Sequence, residues 1–250
     1  MQQVLALALG SMQNDMKRMD QVAMNLTNAV TPGYKRGLVL QQGPAPFTAA
    51  MDAAAAATTP AGATAPLLGA AMDARAGTFK ATGQSLDLAI AGGGYFEVAS
   101  DQGPAYTRQG DFRVDAQGRL VTSQGRPVMG LGGELFLTTQ RPVVSPTGVV
   151  TERVGEVDRT VGQIKLMRYP EGSMPERLGE GLLASAQGMT QMAADEVELR
   201  QGSLENSNVN AAHEMTQLLQ TMRHFESMHR VAQSHDDMLG TAIRRLGENS

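Results

Sequence analysis

From Val209 to Leu246 the side chains of Met215, Leu218, Met222, Phe225, His229 and Ala232 recur at steps of three and four, and the stripe resumes at Leu239, Ile243 and Leu246. Such spacing predicts an amphipathic helix. A helix of that extent is about 55–60 Å long at roughly 1.5 Å per residue, too long to lie inside a small domain, so its seam needs a partner. The first 26 residues offer one: Leu5, Leu9, Met12, Met16, Met19, Ala23 and Leu26 step by four and three without a break, a heptad seam. The two ends are therefore expected to pair and to carry the middle of the chain as a separate body. Heptad stripes alone leave two outcomes open, helices packed on each other in a monomer or seams that associate between chains. Met-rich seams at both ends, each longer than the middle would need for cover, favour association.

The first helix should span about residues 3–28 and stop where Asn28-Ala-Val-Thr-Pro32-Gly33-Tyr34 makes a turn, because Pro32 disfavours helix at Thr31 and Gly33 permits positive φ. An Ala, Gly, Pro and Thr-rich stretch follows, readable as a flexible linker or as a segment ordered only against neighbouring subunits. From about Gly77 to Arg168 short alternating runs separated by Asp- and Gly-rich turns predict antiparallel hairpins: Leu86 to Ile90, Tyr95 to Val98, Phe112 to Val121 through Asp115-Ala-Gln-Gly118, Pro127 to Met129, Glu134 to Leu137 and Val161 to Tyr169. Residues 170–194 read as loops with at most one strand. Asn208 or Asn210 would cap the last helix. The expected fold is α+β, with terminal helices pairing as a coiled coil around an inserted antiparallel β domain. Its divisions are 1–36, a linker at 37–76, a β domain at 77–200 and the last helix at 201–250.

Nothing in the chain makes a positive case for catalysis. Aromatic residues are 4% of the sequence, with no Trp, against 16 Met, so burial leans on aliphatic and thioether groups and the composition is not that of a typical ligand pocket. The net charge of −4 carries no basic run, which argues against nucleic acid or an anionic membrane surface as partner. Without Cys there are no disulfides, thiolate metal sites or Cys nucleophiles. Gly92-Gly93-Gly94 follows a predicted strand but leads into Tyr95-Phe-Glu-Val98, so it lacks the helix start of a phosphate loop and reads as a turn. His213, His224 and His235 repeat every 11 residues, roughly 16 Å apart along a helix, too far to share a metal, and His224 and His229 point apart. They read as solvated or seam-packed. Asp111 and Asp115 sit beside glycines as turn residues, and neither G-x-S-x-G nor H-E-x-x-H occurs. No cofactor or metal is expected. Val4 to Leu9 is too short for a secretory h-region and no Lys or Arg precedes it, and no run reaches membrane-spanning length, so neither a cleaved signal nor direct membrane insertion is expected.

Three stretches resemble one family, the flagellar axial proteins that build rod and hook. Ala23-Met-Asn25-Leu26-Thr-Asn28-Ala-Val-Thr31-Pro-Gly33-Tyr34-Lys35-Arg36 is similar to its N-terminal motif. Leu86 to Ile90, Gly94 to Phe96, Ala105 to Arg108, Gly110 to Phe112 and Gly118 to Val128 resemble its central domain. Leu204-Glu205-Asn-Ser207-Asn208-Val209-Asn210, with Glu214-Met215, resembles its C-terminal motif. Met24, Thr27 and Tyr34 depart from the family's usual Asn, Ala and Phe. The modest length resembles a rod rather than a hook subunit, and Arg223-His-Phe225-Glu226 leans to the proximal over the distal rod. The resemblance implies an inner coiled-coil domain with an outer β layer and helical self-assembly beside other proximal and distal rod subunits. It also implies export through the flagellar type III apparatus without a cleaved signal, a place in the rod across the periplasm, and transmission of torque. A soluble β-domain enzyme or ligand-binding module is the competing reading, unsupported by any site motif.

Overall fold

The computed structural model describes residues 2–40, 69–170, 172–173 and 175–247. They divide into two compact units. Residues 2–27, 37–40, 69–72 and 210–247 make the first; Asn28–Arg36 and Asp73–Val209 make the second.

In the first unit α1 (Gln2–Thr27) and α2 (Ala211–Gly247) lie side by side and antiparallel, since Asp15 meets His224 and Asn25 meets Glu214. Asn210 caps α2: its side-chain oxygen accepts from the His213 N–H at 3.0 Å, satisfying one of the amides that a helix start leaves unpaired. Gly37–Leu40 and Gly69–Met72 form an antiparallel ribbon. Asn25 holds the start of that ribbon by both backbone groups of Gly37, accepting from its N–H at 2.9 Å and donating to its carbonyl at 3.0 Å. The linker expected over 37–76 is thus paired strand at 37–40 and 69–72, while the Ala-rich stretch between them, residues 41–68, lies outside the described residues.

The second unit is antiparallel β throughout. Its largest sheet has six strands in the order Arg177–Gly179, Leu182–Ala184, Gly103–Thr107, Tyr95–Ser100, Leu166–Arg168, Thr190–Gln191. Three of these come from residues 170–194, where at most one was expected. Their strands are two or three residues long, too short for alternation to register. The predicted hairpin through Asp115 is present as Arg113–Val114 against Leu120–Val121. Asp115 closes its turn by accepting from the Gln117 and Arg119 N–H groups, and the Asp111 backbone bridges to Asp87. Phe96, Phe112, Val98, Ile90, Val128 and Leu166 are among the core residues, with the Phe96 and Phe112 rings edge to face at 4.9 Å.

The ends of this unit close on each other. Leu199–Gln201 pairs with Leu88–Ile90, and Ser203–Glu205 pairs with Phe79–Ala81. Residues 28–36 and 201–209, which the sequence assigns to the helical ends, therefore belong structurally with the β unit, because backbone pairing ties them there.

Candidate functional site

Two arrangements stand out, one in each unit. In the helical unit the buried line of α1 is Ala8, Asp15 and Val22, spaced by seven, with Asn25 in the next turn. The buried line of α2 is Glu214, Thr221 and His235, again at multiples of seven. Between them the contacts are polar: Asp15 Oδ2 lies 2.6 Å from His224 Nδ1, and Asn25 Nδ2 donates to Glu214 Oε2 at 3.0 Å. The Asn25–Glu214 pair is buried, and leaving either group unpaired there is expensive, which fixes the register of the two helices, while His224 reaches the buried Asp15 from the rim of the seam.

The apolar seam predicted from the sequence is rotated away from this line. Met12, Met19, Leu26, Leu218 and Phe225 are half-buried beside it. Leu9, Met16 and Ala23, one residue past each buried position of α1, are exposed, Leu9 at 49% and Met16 at 53%. Met215 and Met222 have the same offset on α2 and are 58% and 44% exposed. In an antiparallel pair of right-handed helices, equal offsets from the contact line fall on the same side. The result is one apolar flank along the helix pair, extended outward by the exposed Leu219. The side chains of Leu5, Leu239, Ile243 and Leu246 lie outside the described residues. His213 and His229 are exposed, each beside a glutamine one turn on, and His235 is buried in the seam.

The β unit holds a charged junction built from the three motif stretches. Glu205 Oε1 accepts from Lys35 Nζ at 2.6 Å and from the Gly77 N–H at 2.9 Å; its Oε2 accepts from Arg108 Nε at 2.6 Å. The three side chains are no more than 5% exposed. Two cations around one anion leave an excess positive charge, and carbonyl oxygens absorb it. Arg108 donates to Ile90, Gly92 and Gly94, and Lys35 donates to Arg75. The glycine run is thus a carbonyl cradle filled by a guanidinium, the reverse of a phosphate loop, which presents N–H groups. Burial, the largest influence on Glu205, would push its carboxyl up, yet the Arg108 charge and the Lys35 hydrogen bond and charge outweigh it and hold the group below the usual carboxylate range. Burial, the largest influence on Lys35, together with the Arg108 charge lowers its ammonium by more than the hydrogen bond and charge of Glu205 restore.

Other motif residues of the β unit lie around this junction. The Gly33 N–H donates to the Glu205 carbonyl at 2.7 Å, and Gly33 has φ +67°. A Cβ there would stand 2.4 Å from the Arg108 backbone, so glycine is required twice over. Asn208 is not a cap: it accepts from the Arg36 N–H and donates to the Asp73 and Arg75 carbonyls. Thr31 Oγ1 bonds to Asn28, Ser207 Oγ accepts from the Val209 N–H, and Leu204 pairs with Lys80 in the closing strands. Arg177 stacks over the Tyr34 ring at 4.6 Å and donates to the Lys35 carbonyl. Sequence reasoning misses the roles of Asp15, Glu214, Arg108 and Arg177. Arg108 leaves only a faint trace, a lone cation directly after the buried strand residues Ala105 to Thr107.

Residues 200–245 match the family described as flagellar basal body rod FlgEFG protein C-terminal, and residues 89–158 match that described as flagellar hook protein FlgE/F/G D1 domain. The flagellar basal-body rod protein FlgF of Caulobacter vibrioides is 30% identical over 262 residues, covering 99% of each chain. FlgF of Mesorhizobium japonicum is 30% identical over 258 residues, covering all of both chains. The flagellar basal-body rod protein FlgG of Bacillus subtilis is 29% identical over 252 residues, covering 92% of this chain and 94% of its own.

Proposed function

The chain belongs to the flagellar basal-body rod and hook protein family and is a structural subunit of the rod, and from that premise we propose that it is a proximal-rod subunit assembling helically through the open flank of its terminal helices. The observation that carries the assembly reading is the row Leu9, Met16, Ala23, Met215 and Met222, apolar, contiguous and uncovered beside a contact line that is itself polar. Monomers seldom leave such a seam open without a partner. In the assembled rod the flank would complete a coiled-coil inner layer, with the β unit outside and torque passing through repeated subunit contacts from motor to hook. Its neighbours would be further copies and the other proximal and distal rod proteins.

Passage through the flagellar type III apparatus to a rod crossing the periplasm suits a chain with no Cys, since a disulfide would obstruct threading. Among the described residues no helix is long and apolar enough to cross a membrane. The distal rod is the second reading, favoured by the FlgG relative's similarity over nearly the same span.

Met222→Asp tests the flank. A carboxylate buried without a partner at each subunit contact should raise the concentration needed for association at least tenfold, a cost of about 1.4 kcal/mol or more, while helicity of the monomer stays unchanged. Sedimentation velocity over a concentration series reads this; unaltered association of the variant would remove the flank from the contact. Complementation of a strain lacking the proximal rod protein, against one lacking the distal protein, separates the two rod assignments.

A further inference from the structure

The chain has 16 methionines and no cysteine, so thioethers are its side chains most open to two-electron oxidation. Their placement is uneven. Met192 is buried in the core of the β unit, whereas Met16, Met24, Met215, Met222 and Met238 are about half exposed, and of these Met16, Met215 and Met222 stand on the one apolar flank of the helix pair. An apolar and flexible thioether suits a packing surface; its sulfoxide is polar, and burying it without a hydrogen-bond partner is costly. We propose that Met16, Met215 and Met222 are a reversible oxidation site, with hydrogen peroxide as oxidant, that closes the flank to assembly. The site rests on the assembly reading above and adds its regulation.

The chemistry is complete with the named oxidant. The thioether sulfur attacks one peroxide oxygen, the S–O bond forms as the O–O bond breaks, and the second oxygen leaves as water. Sulfur loses two electrons and peroxide gains them. Dithiol-dependent sulfoxide reductases, one for each sulfoxide epimer, reverse the step. Because these side chains are already about half exposed, oxidation should leave the monomer folded. Once assembly covers the flank the same atoms should be shielded, so the switch acts on the free subunit and not on the built structure.

The test compares the full chain with a Met16→Leu, Met215→Leu, Met222→Leu variant, each untreated and treated with dilute hydrogen peroxide, by peptide mass spectrometry and sedimentation velocity. The expected result is sulfoxide at the exposed methionines, the three flank positions with Met24 and Met238, with Met192 unmodified, and an association concentration raised at least about tenfold per sulfoxide buried on the flank. Reductase treatment should restore association, and the Leu variant should associate with or without peroxide. Resistance of the three thioethers to peroxide, undiminished association of the oxidised chain, or equal loss in the Leu variant would each overturn the switch. If the untreated chain does not associate at any concentration, the assembly reading itself fails, an outcome distinct from all of these.

Discussion

Glu205 ties together three points far apart in the chain: one carboxylate holds Lys35, Arg108 and the Gly77 amide. A buried ion pair is no guarantee of stability, but losing one partner leaves charges stranded and typically costs about 3–5 kcal/mol. Glu205→Gln should therefore destabilise by that order at neutral pH, measured by urea unfolding. The pH dependence has a definite sign. A carboxyl held below its unfolded value contributes stability that is fully present above the ordinary carboxylate range, about pH 4.3–4.5, and is lost as pH falls through its lower folded value. The gap between native chain and Gln variant should narrow on acidification towards pH 3; a gap of constant size would show that Glu205 does not titrate as described. Lys35 and Glu205 are legible as motif residues in the sequence. Their pairing is not, because a separation of 170 residues leaves no local pattern.

At the scale of elements, α1 and α2 were predictable in extent because a period of three and four survives over many turns, and because Pro32, Gly33 and Asn210 mark where helix cannot continue or begins. The face each helix turns to its partner was not predictable. Hydropathy points to Leu9, Met12 and Met16, yet the helices meet through Ala8, Asp15, Val22 and Asn25, because specific polar partners on α2 decide the register. Beyond the end of α1, Gly33 is closely confined. Gly33→Ala adds left-handed strain to a backbone overlap with Arg108, and should cost roughly 2–4 kcal/mol in the β unit. A thermal shift near zero for this variant would contradict that geometry.

Across the whole molecule, sequence similarity and structure divide the chain at different points. The three motif stretches read as two helical ends and a middle, but Asn28–Arg36 and residues 201–209 belong to the β unit, the latter through the paired strand Ser203–Glu205 and the former through hydrogen bonds to Glu205 and Asn208. Strands of two or three residues and hydrogen bonds across the length of the chain carry no periodicity, so that boundary could be located only in three dimensions. The helical unit keeps an apolar flank and the β unit keeps its own core, so assembly is proposed for the first alone. The most direct measurement is sedimentation velocity, with circular dichroism on the same samples, of the full chain beside a fragment spanning residues 28–209. The fragment should be folded and stay monomeric at every concentration while the full chain associates as its concentration rises. A folded fragment that associates as strongly as the full chain, or a full chain that remains monomeric throughout, would overturn assembly through the helix flank.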